Sequence, residues 1–237
     1  MKSKLLPLAA AVLLPLMSNT VDAQRITVTV TNLTHGIYFT PFLVAAHDNN
    51  LRFFETGQPA SANLQAMAEG GNIDGLIAEV QANSGLFVAN PAAGLLAPGQ
   101  SATTSVIDTT GTNNGYLSIV SMLLPTNDAF AGLNAWKIPS EAGTYTININ
   151  AYDAGTEAND EIVNGAGVPG APGIPAAPGG HAGTNGTGVT SIETNTNVHI
   201  HRGSLGDDNA TGGSSDLNNR VHRWLNPVVR ATITIEG

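Results

Sequence analysis

The stretch Ile26-Thr27-Val28-Thr29-Val30-Thr31 alternates β-branched apolar side chains with threonines without a break. A period of two puts Ile26, Val28 and Val30 on one face and the threonines on the other, which is the pattern of a half-buried strand. The same alternation returns at Tyr145, Ile147 and Ile149, at Val198 and Ile200, and at Ala231, Ile233 and Ile235. Tyr116 to Leu124 is apolar almost throughout, so this run predicts a strand buried on both faces. Strand patterns therefore lie at both ends of the chain that follows residue 23. The expected fold class is all-β, an antiparallel sandwich whose first and last strands belong to one unit spanning residues 24–237.

Two segments break the alternation. Leu64, Met67 and Ala68, then Ile73, Leu76, Ile77 and Val80, recur at helical spacing. Gly70-Gly71 divides this region into two short helices, and Asn72 is placed to cap the second. Both helices are expected to cap one end of the sandwich. Residues 165–190 form a Gly- and Pro-rich run without periodicity, read as a surface loop between strands.

Residues 1–23 have the layout of a secretory signal peptide. Lys2 and Lys4 precede an apolar run from Leu5 to Met17, and Val21-Asp22-Ala23 offers small residues for cleavage before Gln24. The apolar run is too short for a membrane span, and no later stretch is long enough. Export is therefore expected, to a bacterial periplasm or the extracellular space. The absence of cysteine fits the bacterial address, and leaves the core, the sheet ladders and a metal as the means of stabilisation. The formal charge is −9 and becomes one unit more negative once the leader is removed. That excludes a nucleic-acid partner as the natural reading and favours cations or basic partners.

Asp128 follows the apolar strand in Pro125-Thr126-Asn127-Asp128, and Asp153 follows another in Tyr152-Asp153-Ala154-Gly155-Thr156-Glu157. The glycine allows a tight turn that aims Asp153 and Glu157 at one point. Calcium takes six to eight oxygens, largely carboxylates and carbonyls on loops, so Asp128, Asp153 and Glu157 are candidate ligands for half a shell. His199 and His201 sit two apart on a strand and share a face, a weaker candidate seat for copper or zinc with His181 or His222 as a third ligand. Asp207, Asp208 and Asp216, among glycines and serines, lack ordered ligand spacing and read as a solvated loop. No Gly-x-Ser-x-Gly elbow, His-Glu-x-x-His or phosphate-binding loop occurs. A dispersed Ser-His-Asp arrangement stays open, because geometry and not order defines it.

Ser121 to Leu133 and Tyr152 to Glu157 resemble the two signature stretches of the spondin N-terminal domain family. Ile26 to Phe42 fits its opening, and Val221 to Ile233 resembles the closing strand of bacterial members. The resemblance implies a C2-like β-sandwich with calcium held by acids of two loops, here Asp128, Asp153 and Glu157. This sequence departs from the animal pattern at Glu157, where an aspartate is usual, at Ala129, where a tryptophan stands, and in its lack of cysteine. The function implied is a secreted, non-catalytic, calcium-assisted module that binds an extracellular protein or polysaccharide. The alternatives are a periplasmic copper or zinc protein using His199 and His201, and a hydrolase of envelope material using Asp128 and Asp153.

Overall fold

A computed structural model describes residues 24–190 and 194–236. The signal-peptide reading lies outside the described residues. In chain order the strands are β1 (Arg25–Asn32), β2 (Tyr38–Phe39), β3 (Leu43–His47), β4 (Leu86–Ala89), β5 (Ser101–Thr103), β6 (Ile107–Asp108), β7 (Tyr116–Leu124), β8 (Ala129–Lys137), β9 (Gly143–Asp153), β10 (His199–Ile200) and β11 (Val229–Glu236). Helices α1 (Ala62–Gly70) and α2 (Asp74–Ala82) fall between β3 and β4.

The strands form one 11-stranded antiparallel sheet, curled into a half-barrel, with the path β4-β3-β7-β8-β9-β11-β1-β5. The expected pair of separately stacked sheets is replaced by this continuous one. The reason lies in β9, which is long enough to serve two ladders. Its residues 143–149 pair with β11, and its residues 150–153 pair with β8. The sheet bends where the ladder changes, and the two wings close over a shared core. Ile26, Val28 and Val30 of β1 meet Val44, Leu117, Ile119, Ala131 and Ile149 there, with Val229, Ala231, Ile233 and Ile235 of β11. The alternation thus places its apolar set inside, while the intervening threonines of β1 bond across its outer edge, as in Thr29 Oγ1 with Thr103 Oγ1 at 2.8 Å. The ends of the described chain are neighbours: Arg25 pairs with Glu236 and Asn32 with Val229.

The helices do not cap an end. They cover the outer face of the β3-β7-β8 wing, where Leu64, Met67, Leu76 and Val80 pack on Leu43, Ala45, Val120, Met122 and Phe130. The largely apolar β7 demands this arrangement, since its second face would otherwise lie in water. Ser61 caps α1 by accepting the Leu64 N–H at 3.1 Å. Gly71 ends it in the left-handed conformation at φ +70°, with its N–H on Met67 O. The N-cap of α2 falls on Ile73, which makes no side-chain cap bond; Asn72, expected there, stands one residue earlier, and its Oδ1 accepts the Asp74 N–H.

Among the described residues between β9 and β11 only the two of β10 lie in a named strand, yet the stretch is held by carboxylates that accept backbone N–H groups. Glu161 accepts from Leu205 and Gly206, and Asp216 from Val163 and Gly186. Asp207 accepts from Asn209, Ser214 and Ser215. One expectation is corrected here. Asp216 is buried and organises the loop around it, so the Asp207 to Asp216 region is not simply solvated. The Gly/Pro-rich run is the expected loop between strands, and it is pinned to the body at two points: Ile174 is fully buried, and Gly170 N–H donates to buried Glu69 on α1 at 2.6 Å. Residues 221–228 are loop, and the closing strand begins only at Val229.

Candidate functional site

The antiparallel register of β8 and β9 places Ala129 opposite Asp153. Asp128, one residue before β8, and Asp153, the last of β9, therefore share one corner, and Ala154 N–H reaches Asp128 O at 3.3 Å. Thr126 shapes the turn by donating its hydroxyl to Leu123 O at 2.7 Å and accepting the Ala129 N–H at 3.2 Å.

Each residue of the Asp153-Ala154-Gly155-Thr156 turn has a distinct task. Asp153 Oδ1 accepts the Gly155 N–H at 2.8 Å, closing a local turn. Gly155 adopts φ +71°, and a Cβ there would lie 2.6 Å from the Thr196 carbonyl carbon. Thr156 presents both its N–H and its hydroxyl to Asp128 Oδ2, at 2.8 and 3.2 Å, and the Glu157 N–H joins them at 3.1 Å. Glu157 in turn folds over the corner, with Oε2 accepting from Gly173 N–H at 2.9 Å and Asn127 Nδ2 at 3.4 Å. The methylene that distinguishes glutamate from aspartate is taken up by this reach toward the Gly/Pro-rich segment.

The electrostatics are unfavourable for three ionised carboxylates. Asp128 is fully buried, and burial together with neighbouring Asp153 pushes its carboxyl up to about 7, against the pull of the Thr156 and Glu157 N–H groups. Glu157 is pushed up to about 8, first by burial and then by Glu69 and Asp128, despite the Gly173 bond. Two oxygens of this corner, Asp128 Oδ1 and Glu157 Oε1, are buried without any hydrogen-bond partner. An orphaned buried carboxylate oxygen is costly, so it calls for a proton or a cation. All the donors are oxygens, which suits a hard cation. Among the described residues, however, no group of three His, Asp or Glu side chains stands arranged to hold a metal ion. The donor chemistry suits a hard cation; a closed shell would require oxygens beyond these carboxylates.

His199 and His201 share a face as the two-residue period requires. Their Nε2 atoms lie 3.7 and 3.9 Å from Asp153 Oδ2. His201, however, has both nitrogens engaged. Gly203 N–H donates to Nδ1 at 2.9 Å, which makes Nε2 the protonated nitrogen, and Nε2 donates to Asn159 Oδ1 at 3.0 Å. Asn159 then donates through Nδ2 to Asp153 Oδ2 at 2.7 Å. His201 is buried, and burial lowers it to about 3, so it is a neutral relay that aims Asp153. His181 lies elsewhere, in a crevice with Asp207, Asp208 and Asp216, and buried His222 accepts the Asn218 N–H through Nδ1. Asp128 and Asp153 are 0% and 1% exposed, so neither is presented to a polymeric substrate.

Sequence reasoning brought Asp128, Asp153 and Glu157 together and missed the residues that position them. Asn127 and Asn159 come from a turn and a loop, and neither stands in a recognisable spacing. The only hint was local: an asparagine beside each acid-bearing turn.

A curled β-sheet carrying a loop corner of buried acids defines a module built around loop geometry, with its chemistry at the strand ends. The sequence model of the Spondin_N family matches residues 31–162, more than half of the chain, and the chain belongs to that family. The spondin N-terminal domain is a module of extracellular adhesion proteins and is generally non-catalytic. No curated protein matches the chain. No helix among the described residues is long and apolar enough to cross a membrane.

Proposed function

We propose that this chain is an exported binding module of adhesion type whose carboxylate corner takes up calcium. The observation that carries the reading is the pair of buried, partnerless oxygens, Asp128 Oδ1 and Glu157 Oε1, in a corner of oxygen donors. Asp128 and Glu157 would hold the ion, with Asp153 aimed from the opposite strand end by Asn159. Calcium supplies the positive charge that offsets three crowded carboxylates; the protein's own contribution is to hold the turns after β7 and β9 against each other. In this reading the half-barrel is a variant of the C2-like sandwich, its two wings joined through β9. The binding surface for an extracellular protein or polysaccharide is formed by the loops that the corner fixes.

Calorimetry of the metal-free protein tests the reading. Saturable calcium binding in the range of extracellular modules, roughly sub-millimolar to millimolar, is expected, with Asp128→Asn abolishing it. No heat and no thermal shift in millimolar calcium would remove the calcium reading.

A further inference from the structure

The first half of β9 has an edge that no other strand pairs with. Backbone N–H and C=O groups alternate between the two edges along a strand. Those of Ala151 face the β10 side, where its C=O accepts the His201 N–H at 3.1 Å and its N–H donates to Asn226 Oδ1 at 2.7 Å. Ile149 O faces the same way and accepts the Val228 N–H, just ahead of β11, at 3.0 Å. The even-numbered residues therefore face the opposite edge. Asn150 and Tyr152 find Gly132 and Phe130 of β8 there. Thr144, Thr146 and Asn148 find no strand, because the ladder to β8 stops at Gly132. Beyond it β7 carries a bulge between Leu117 and Ile119, and Ala135 of β8 takes a φ of +47°. Among the described residues no group pairs with the backbone of these three on that edge, and all three are exposed.

An open edge is ordinarily blunted by shortness, a lysine, a proline or a bulge. Gly143 to Asn148 carries no lysine or proline and no charge at all, in a chain of formal charge −9. Its ladder to β11 runs without a register shift. The margins of the sheet are shorter: β5 has three residues and β4 has four.

This edge is its own complement. A two-fold axis through Thr146 sets Thr146 opposite Thr146, Thr144 opposite Asn148, and Tyr145 opposite Ile147. That register pairs every free N–H and C=O of the three residues in both copies. Threonine then meets threonine on one face, and an aromatic ring meets a β-branched side chain on the other, both pairings that favour a sheet. Tyr145 and Ile147, only half-buried against the core, gain further cover. A charged strand would find no opposite charge to match on this edge.

We propose that two copies of this chain pair β9 to β9 through this edge, joining their sheets into one. The seam is small, so the dimer is half-formed at roughly 0.1–1 mM. It uses no residue of the carboxylate corner and holds with or without calcium.

Sedimentation velocity of the protein in chelator should show a monomer–dimer equilibrium over that range. Hydrogen exchange followed by NMR should show the Thr144, Thr146 and Asn148 amides slowing as concentration rises. Thr146→Lys sets two like charges face to face on the axis and should weaken the dimer roughly tenfold or more. Thr146→Pro removes an N–H that the β11 ladder does not use, and should weaken it likewise while the circular dichroism of the fold is kept. A monomer at about 1 mM overturns the proposal. So does a dimer that Thr146→Lys leaves intact, or one in which the three amides stay fast. Protection of those amides only when a foreign extended peptide is added also overturns it, and makes the edge a seat for a partner's strand.

Discussion

Replacing Asp128 with asparagine should stabilise the metal-free protein, and by an amount that grows with pH. Asp128 is held at about 7 in the fold, against 3.8 in the open chain, because burial and Asp153 oppose its ionisation. Below about pH 4 both states keep the proton and the carboxyl costs nothing. As pH rises from about 4 to about 7, the unfolded chain ionises while the folded one does not, and the folded state loses about 1.4 kcal/mol per pH unit. The full loss is about 4 kcal/mol, and more than half of it, roughly 2–3 kcal/mol, falls between about pH 5 and pH 8. Asparagine keeps an acceptor for the Thr156 and Glu157 N–H groups and carries no charge. The neutral buried histidines His201 and His222 push in the opposite direction, since their folded values are lowered and stability falls as pH drops below about 6.5. They titrate alike in both proteins and cancel in the difference.

The assay is urea unfolding in chelator at a series of pH values. The free-energy gap between variant and parent should move by roughly 2–3 kcal/mol toward the variant from about pH 5 to pH 8, or roughly 5–10 °C in thermal midpoint. In millimolar calcium the order should invert, because only the parent keeps the ligand. A gap that stays flat across this range would refute the argument that Asp128 is a strained, buried acid.

Other outcomes follow from the same geometry. Gly155→Ala should cost about 2–4 kcal/mol in urea unfolding, since φ +71° and the Thr196 carbonyl carbon at 2.6 Å both oppose a side chain; a loss below about 0.5 kcal/mol would contradict the close approach. The His201 ring should show no titration by NMR between about pH 5 and pH 8, because burial keeps it neutral down to about 3. Asp216→Ala should strip the Val163 and Gly186 N–H groups of their acceptor, at about 1–3 kcal/mol each where buried, and hydrogen exchange at those two amides should accelerate ahead of the β1 and β11 amides.

What the sequence disclosed and what it hid divide along a physical line. The period of two in β1 and β11 names the faces correctly, because one face is core along their whole length. The apolar run of β7 announced burial on both sides, though not that helices rather than a second sheet supply the cover. Asp128 and Asp153 met because both stand at strand ends and antiparallel pairing brings such ends together. The region from Ala154 to Val228 was opaque. Its order comes from single carboxylates gathering backbone amides far away in sequence, as Glu161 does with Leu205 and Gly206, and such contacts leave no periodic trace. His201 was misleading for the same reason: its pairing with Asn159 spans 42 residues, so the spacing His-x-His suggested a ligand pair where one ring is already committed.

The pairing of Arg25 with Glu236 sets how the molecule answers a mechanical load. With the two ends lying side by side on antiparallel neighbours, tension applied between residues 25 and 236 peels the strands apart rung by rung, and never shears the whole ladder at once. A body loaded that way yields at low force. If this module sustains traction, the pull must enter at one end and leave through a partner gripped at its loops, which turns β11, clamped between β1 and β9, into the strut and spares the seam.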